Sequence, residues 1–148
     1  ADIMLMRAEA LIELNRLAEA RDIINEIRDR AASSIGKHIS YASEFCEIAQ
    51  YPATYFDSKE NARQCLQWER RLELAMENGR YFDLRRWGIA SKTLNAFFKS
   101  EMGVEYEGQA YAQYYSDAYY TPGKNEFYPI PYNQLYYVPG LYSQNANY

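Results

Sequence analysis

The sequence predicts an all-α fold: a helical hairpin, further helices, and a long irregular tyrosine-rich C-terminal segment. Three observations predict it. Apolar residues recur at helical spacing over residues 2–14, 18–32 and 58–78. The first two of these runs are separated only by Asn15–Leu17, so they must lie as antiparallel neighbours. Beyond Gly103 no period is sustained, yet twelve of the sixteen tyrosines fall between Tyr106 and Tyr148. With 48 % hydrophobic and 24 % charged residues, the 148-residue chain can build one real core.

In the first helix Ile3, Met6, Ala10 and Leu14 are joined by Leu5, Ala8, Leu11 and Ile12, so it is apolar on more than one face. Both sides should be covered. It opens at Ala1 with no cap before it and reads as the continuation of an upstream segment. The second helix has a clean stripe of Ala20, Ile23, Ile24, Ile27 and Ala31, with its acids and arginines on the other face. The pair fits the tetratricopeptide spacing: Met4, Ala8 and Leu11, then Ala20, Ile24 and Ile27. Small residues at Ala8 and Ala20 permit the close helix crossing. One such repeat cannot bury both of its faces.

Residues 33–57 read as a loop. Asp57 with Glu60 forms a capping-box pattern for a long helix from Ser58 to Asn78. Its stripe is Ala62, Cys65, Trp68, Leu72, Ala75 and Met76, and Asn78-Gly79 should stop it, with Gly79 left-handed. A short helix covers Tyr81–Trp87, and another covers Ile89–Lys99 with Ile89, Leu94, Phe97 and Phe98 apolar. Residues 103–148 read as irregular chain with room for a short strand or turn. Pro129 and Pro131 impose an extended segment there.

Charge excludes some functions. Residues 1–100 balance, with fifteen acids and fifteen bases, so the net −4 sits in residues 101–148, where five acids face Lys124 alone. An acidic aromatic tail is a poor phosphate binder, which argues against nucleic acid. No run of 18 apolar residues exists. Cys46 and Cys65 have no metal spacing, and spacing leaves their pairing open. His38 is the only histidine, and no phosphate-binding glycine motif occurs, so no metal or cofactor is expected.

The densest feature is ERRLELAMENGRYFDLRRWG, Glu69 to Gly88. Glu69, Glu73 and Glu77 lie one turn apart on one helix flank. A glycosidase needs carboxyls roughly 5–10 Å apart that straddle a bond, which this flank cannot do. Each carboxylate, Asp83 included, also has an arginine close in sequence, and a carboxylate paired with a cation makes a poor general acid. The stretch reads instead as a structural clamp of Glu69, Arg70, Arg71, Glu73, Glu77, Arg80, Asp83, Arg85, Arg86 and Trp87. Arginines that fork onto carboxylates fix helix ends and loops.

The same stretch resembles the E-R-R-x-E-L-A-x-E-G-x-R-x-x-D-L-R-R-W segment of the SusD/RagB family, departing at Met76 and by one residue at the Asn78-Gly79 turn. LMRAEALIELNRLAEARDIINEIRDRA resembles that family's helical hairpin. Phe127 to Pro131 resembles its F-P-I-P segment, with Tyr128 as the difference. LYSQNANY resembles its L-x-Q-N-P-x-Y ending, with Ala146 and Asn147 for Pro-Gly. The resemblance implies the C-terminal part of a tetratricopeptide-like all-α protein: hairpin 1–32, clamp helices 58–99, tail 103–148. It implies a non-enzymatic surface lipoprotein of the outer membrane. Such a protein binds glycans or other nutrients, partners a TonB-dependent (SusC-like) transporter, uses no cofactor, and is attached by a lipid on an upstream cysteine. Neither Cys46 nor Cys65 is a candidate for that lipid.

The family's pattern assigns no ligand contacts here. Sugars stack on aromatic rings while polar side chains meet their hydroxyls. Tyr111, Tyr114, Tyr115, Asp117, Tyr119 and Tyr120 offer both parts, and the loop with Tyr51 and Tyr55 is a second candidate. The same tyrosines could simply pack the tail onto helices. Two other functions stand beside nutrient binding: a helical-repeat scaffold for protein partners, and a glycan-active enzyme.

Overall fold

The computed structural model describes residues 1–35, 37, 46–106, 109–110 and 112–148. His38 and Tyr111 lie outside the described residues. The fold is all-α, apart from a two-residue ladder, and divides into two compact units, Ala1–Arg80 and Tyr81–Tyr148.

In the first unit α1 (Asp2–Glu13) and α2 (Leu17–Ser34) form the expected hairpin. Asn15 turns the chain in the left-handed conformation (φ 59°). Its N–H reaches the Ile12 carbonyl at 3.0 Å, and the Arg16 N–H reaches Leu11 at 2.8 Å. This pair of bonds satisfies the carbonyls of the last turn. Leu5, Ala8, Leu11 and Ile12 are buried against Ala20, Ile24 and Ile27, with Met4 packed beside them. Each of the largest buried aliphatic side chains contributes about 1.5–3 kcal/mol. On the other apolar face of α1 Ile3 and Met6 are exposed, as is Leu14 at its C-terminal cap.

A 3-10 turn (Ala53–Phe56) leads to α3 (Lys59–Glu73), which packs on α1 and α2. The cap differs from the sequence expectation. Ser58, rather than Asp57, accepts the Asn61 N–H at 3.2 Å, while Asp57 accepts the Asn61 side-chain amide at 2.8 Å. The α3 helix also ends five residues short of Asn78, at Glu73. Met76 (φ 69°) and Asn78 (φ 61°) turn left-handed, and Gly79 does not.

The buried face is phased differently too. Ala62, Cys65, Leu66, Glu69 and Arg70 point inward, whereas Trp68, Leu72 and Met76 are exposed. The physical reason is a charged inner layer. Glu69 is only 4 % exposed and meets Arg28 of α2 at 2.8 Å. Arg70 meets Asp2 of α1 at 2.9 Å, and Arg30 meets Glu73. Buried ionised groups are tolerated because each has its counter-ion.

In the second unit α4 (Arg80–Arg86) starts at the last residue of the first, and α5 (Ala90–Glu101) follows it. Gly88 (φ 70°) stops α4: its N–H reaches Arg85 and the Ile89 N–H reaches Leu84, both at 3.0 Å. Leu84, Ala90 and Tyr120 form a small core flanked by Tyr81, Ile89 and Leu94. An antiparallel ladder pairs β1 (Glu105–Tyr106) with β2 (Gln109–Ala110), and α6 (Ala112–Tyr115) follows.

The tail is not wholly irregular. Pro131 caps a further helix, α7 (Tyr132–Tyr137), in keeping with proline's tolerance at helix starts. The two tail motifs bind each other. Gln144 accepts the Ile130 N–H at 2.8 Å and donates to the Ile130 carbonyl at 3.0 Å. Asn145 donates to Tyr128 at 2.6 Å, and the Tyr148 hydroxyl donates to Phe127 at 2.8 Å. Polar side chains thus satisfy backbone that the prolines remove from regular structure.

Candidate ligand clefts

The first unit holds a cleft of about 390 Å³, lined by Tyr51, Thr54, Tyr55, Asn61, Gln64, Cys65 and Trp68. That volume is within the range of small-ligand sites. One wall is α3: Asn61, Gln64, Cys65 and Trp68 recur at helical spacing and share a face. The other wall is the 3-10 turn and the chain leading into it.

Tyr51 is held from several sides. Asn25 of α2 donates to its carbonyl at 3.1 Å and accepts its N–H at 2.8 Å. The Arg28 guanidinium lies 4.4 Å from its ring centroid. That guanidinium is itself fixed by Glu69 at 2.8 Å and by the Ala49 carbonyl at 2.6 Å. Tyr55 sits 5.8 Å from Tyr51, centroid to centroid, and its carbonyl accepts from the Cys65 thiol at 3.8 Å. Trp68 is 53 % exposed, with Arg71 stacked at 5.1 Å on its ring. Burial pushes the Tyr51 phenol and the Cys65 thiol above their ordinary pKa values, so both stay neutral near pH 7.

The second unit holds a cleft of about 510 Å³. Its lining comprises Tyr81, Phe98, Asp117, Ala118, Tyr119, Tyr120, Asn125, Phe127, Tyr128 and Tyr148. Asn95 holds Tyr120 as Asn25 holds Tyr51: it donates to the Tyr120 carbonyl at 3.0 Å and accepts its N–H at 2.7 Å. Burial pushes the Tyr120 phenol up to about 12, with Tyr81 and Glu126 adding to the shift. Tyr120 is therefore chiefly a core residue that edges the cleft.

The structure places the sequence candidates as follows. Asp117, Tyr119 and Tyr120 share the second cleft, and Tyr51 and Tyr55 share the first. Tyr114 is exposed outside both linings. Tyr115 packs on Phe97 and Phe98, with ring centroids 6.0 and 6.1 Å away. Sequence reasoning missed Thr54, Asn61, Gln64 and Trp68. Their signal was the helical spacing of Asn61, Gln64 and Trp68, obscured because Trp68 reads as core. It also missed Tyr81, Phe98, Asn125, Phe127, Tyr128 and Tyr148, which segments distant in sequence bring together.

The residues of the charged stretch divide between the units. Glu69, Arg70 and Glu73 tie α3 to α2 and α1, while Arg71 stacks on Trp68. Glu77 is exposed and Arg80 begins α4. Arg86 joins Asp83 at 2.8 Å and lies 4.8 Å from the Trp87 ring centroid. Arg85 lies over Tyr81 and Phe127, at 5.5 and 5.8 Å. Cys46 is exposed, Cys65 is buried, and both are free thiols. Among the described residues no group of three or more His, Cys, Asp or Glu side chains could hold a metal, and no helix is long and apolar enough to cross a membrane.

Comparison with known proteins agrees with the motifs. SusD-like protein P25 of Formosa agariphila is 36 % identical over 89 residues, which is 60 % of this chain and 14 % of that protein. The matched stretch thus spans about a seventh of the relative's length. The family model described as the SusD family matches residues 1–148, and the chain belongs to that family.

Proposed function

We propose that this chain takes part in non-catalytic binding of an oligosaccharide in the first-unit cleft. We further propose that it belongs to a surface-exposed lipoprotein of the outer membrane that hands its ligand to a TonB-dependent transporter. The observation that carries the binding reading is the cleft's chemistry. Tyr51, Tyr55 and Trp68 offer aromatic surface beside the neutral polar groups of Thr54, Asn61 and Gln64. Rings that stack on C–H faces and amides that meet hydroxyls are what a sugar requires. Membership of the SusD family supports the same ligand class and the transporter partnership.

The test is isothermal titration of the full chain against a panel of oligosaccharides. Trp68→Ala and Tyr55→Ala should each weaken the best ligand by about tenfold, the loss of roughly one aromatic contact. If both variants bind as the parent does, the sugar does not sit in this cleft. Mass spectrometry of the native protein should find an acylated N-terminal cysteine. An unmodified N-terminus would remove the lipoprotein reading.

A further inference from the structure

The geometry points to a first-unit cleft that selects neutral saccharides over anionic ones, with Gln64 as the side chain that reads a ligand hydroxyl. This rests on the saccharide reading above. Among the described residues the lining holds no Asp, Glu, Lys, Arg or His side chain. Burial also pushes the Tyr51 phenol and the Cys65 thiol above their ordinary pKa values.

Among the described residues Arg28, Asp57 and Arg71 touch lining side chains from outside the lining. Arg28, behind Tyr51, is paired with Glu69 at 2.8 Å and bonded to Ala49 at 2.6 Å. Asp57 accepts from the Asn61 side chain at 2.8 Å. Arg71 is exposed and lies on the Trp68 ring, where water and salt screen its field. A sulfate or carboxylate entering the cleft would lose hydration without gaining a buried counter-charge. A sugar hydroxyl both donates and accepts, and loses nothing against groups that do the same.

Gln64 is placed to make that exchange. It lies one turn before Trp68 on the same face of α3, beside the ring on which a sugar would stack. Among the described residues its amide has no hydrogen bond, so both its N–H and its carbonyl are available. Asn61, by contrast, has committed one of its two amide N–H groups to Asp57.

The experiment is titration of the full chain with neutral hexasaccharides (α-glucan, β-glucan, xylan, mannan) and anionic ones (polygalacturonate, alginate, sulfated galactan). We expect a neutral member to bind, every anionic member to bind at least about tenfold more weakly, and affinity to change little with salt. Gln64→Ala should weaken the neutral ligand about five- to tenfold with an unchanged melting temperature. Gln64→Glu should make that affinity fall as pH rises through the carboxylate range. An anionic oligosaccharide that binds as tightly as a neutral one, with affinity dropping steeply in salt, overturns the selectivity. A Gln64→Ala variant with parent affinity overturns the role of Gln64. If no saccharide of either kind binds, the saccharide reading itself fails, and this inference with it.

Discussion

Removing the Glu69 carboxylate is the sharpest test of how the charged stretch works. Glu69 is 4 % exposed, and its partner Arg28 retains 16 % of its side-chain surface. Glu69→Ala leaves the half-buried Arg28 guanidinium with the Ala49 carbonyl and the Tyr51 ring but, among the described residues, no counter-ion. Breaking a buried ion pair from one side costs about 3–5 kcal/mol, and the residual exposure of Arg28 places this pair near 3. The assay is urea unfolding of the full chain in a Trp87→Phe background, so that Trp68 alone reports on the first unit. Arg28→Ala and the double variant complete the cycle, with a coupling of about 1–3 kcal/mol expected. Arg28→Ala should also weaken ligand binding in the cleft, because Tyr51 loses the guanidinium at 4.4 Å from its ring. The exposed Arg16–Glu19 pair is the control, and Glu19→Ala should leave the unfolding midpoint unchanged. A loss below about 1 kcal/mol for Glu69→Ala would refute the reasoning, since it would mean water already solvates the pair.

Three further outcomes follow from single contacts. Gln144→Ala removes both hydrogen bonds to Ile130 and should cost about 1–3 kcal/mol. Faster hydrogen exchange at the Ile130 amide is the local readout, and an unchanged rate would count against the tail clamp. Glu13 meets Arg63 and Lys59, and the hydrogen bond from Arg63 is the main cause that lowers its carboxyl from 4.5 to about 2. Its stabilisation is therefore complete above about pH 4.5 and lost as pH falls toward 2. Because the site is exposed, it should amount to less than about 1 kcal/mol. The melting-temperature gap between parent and Glu13→Gln should close across that window, and a gap that persists below pH 2 would have another origin. Met76 is left-handed and 97 % exposed, so Met76→Gly removes about 1–2 kcal/mol of backbone strain. It adds about 0.5–1 kcal/mol of unfolded-state entropy in exchange. Thermal unfolding should show a small net gain, and a clear loss would mean that the turn is not strained.

What the sequence by itself determined was everything that depends on local period. The α1–α2 hairpin, the small residues at its crossing, and the helix–glycine–helix passage around Gly88 follow from spacing within a few turns. The motif residues of the tail were visible as text, although nothing in the text said that they bind each other. Tertiary structure decided what depends on partners distant in the chain. Glu69 and Arg70 could occupy the inner face of α3 only because Arg28 and Asp2 wait there, 41 and 68 positions away in sequence. Those partners rotate α3 so that Trp68 faces a cleft rather than the core. The cap passed to Ser58 because Asp57 was free to take the Asn61 amide. Periodicity records which residues can share a face, but the neighbours that pack against the helix select which face is buried.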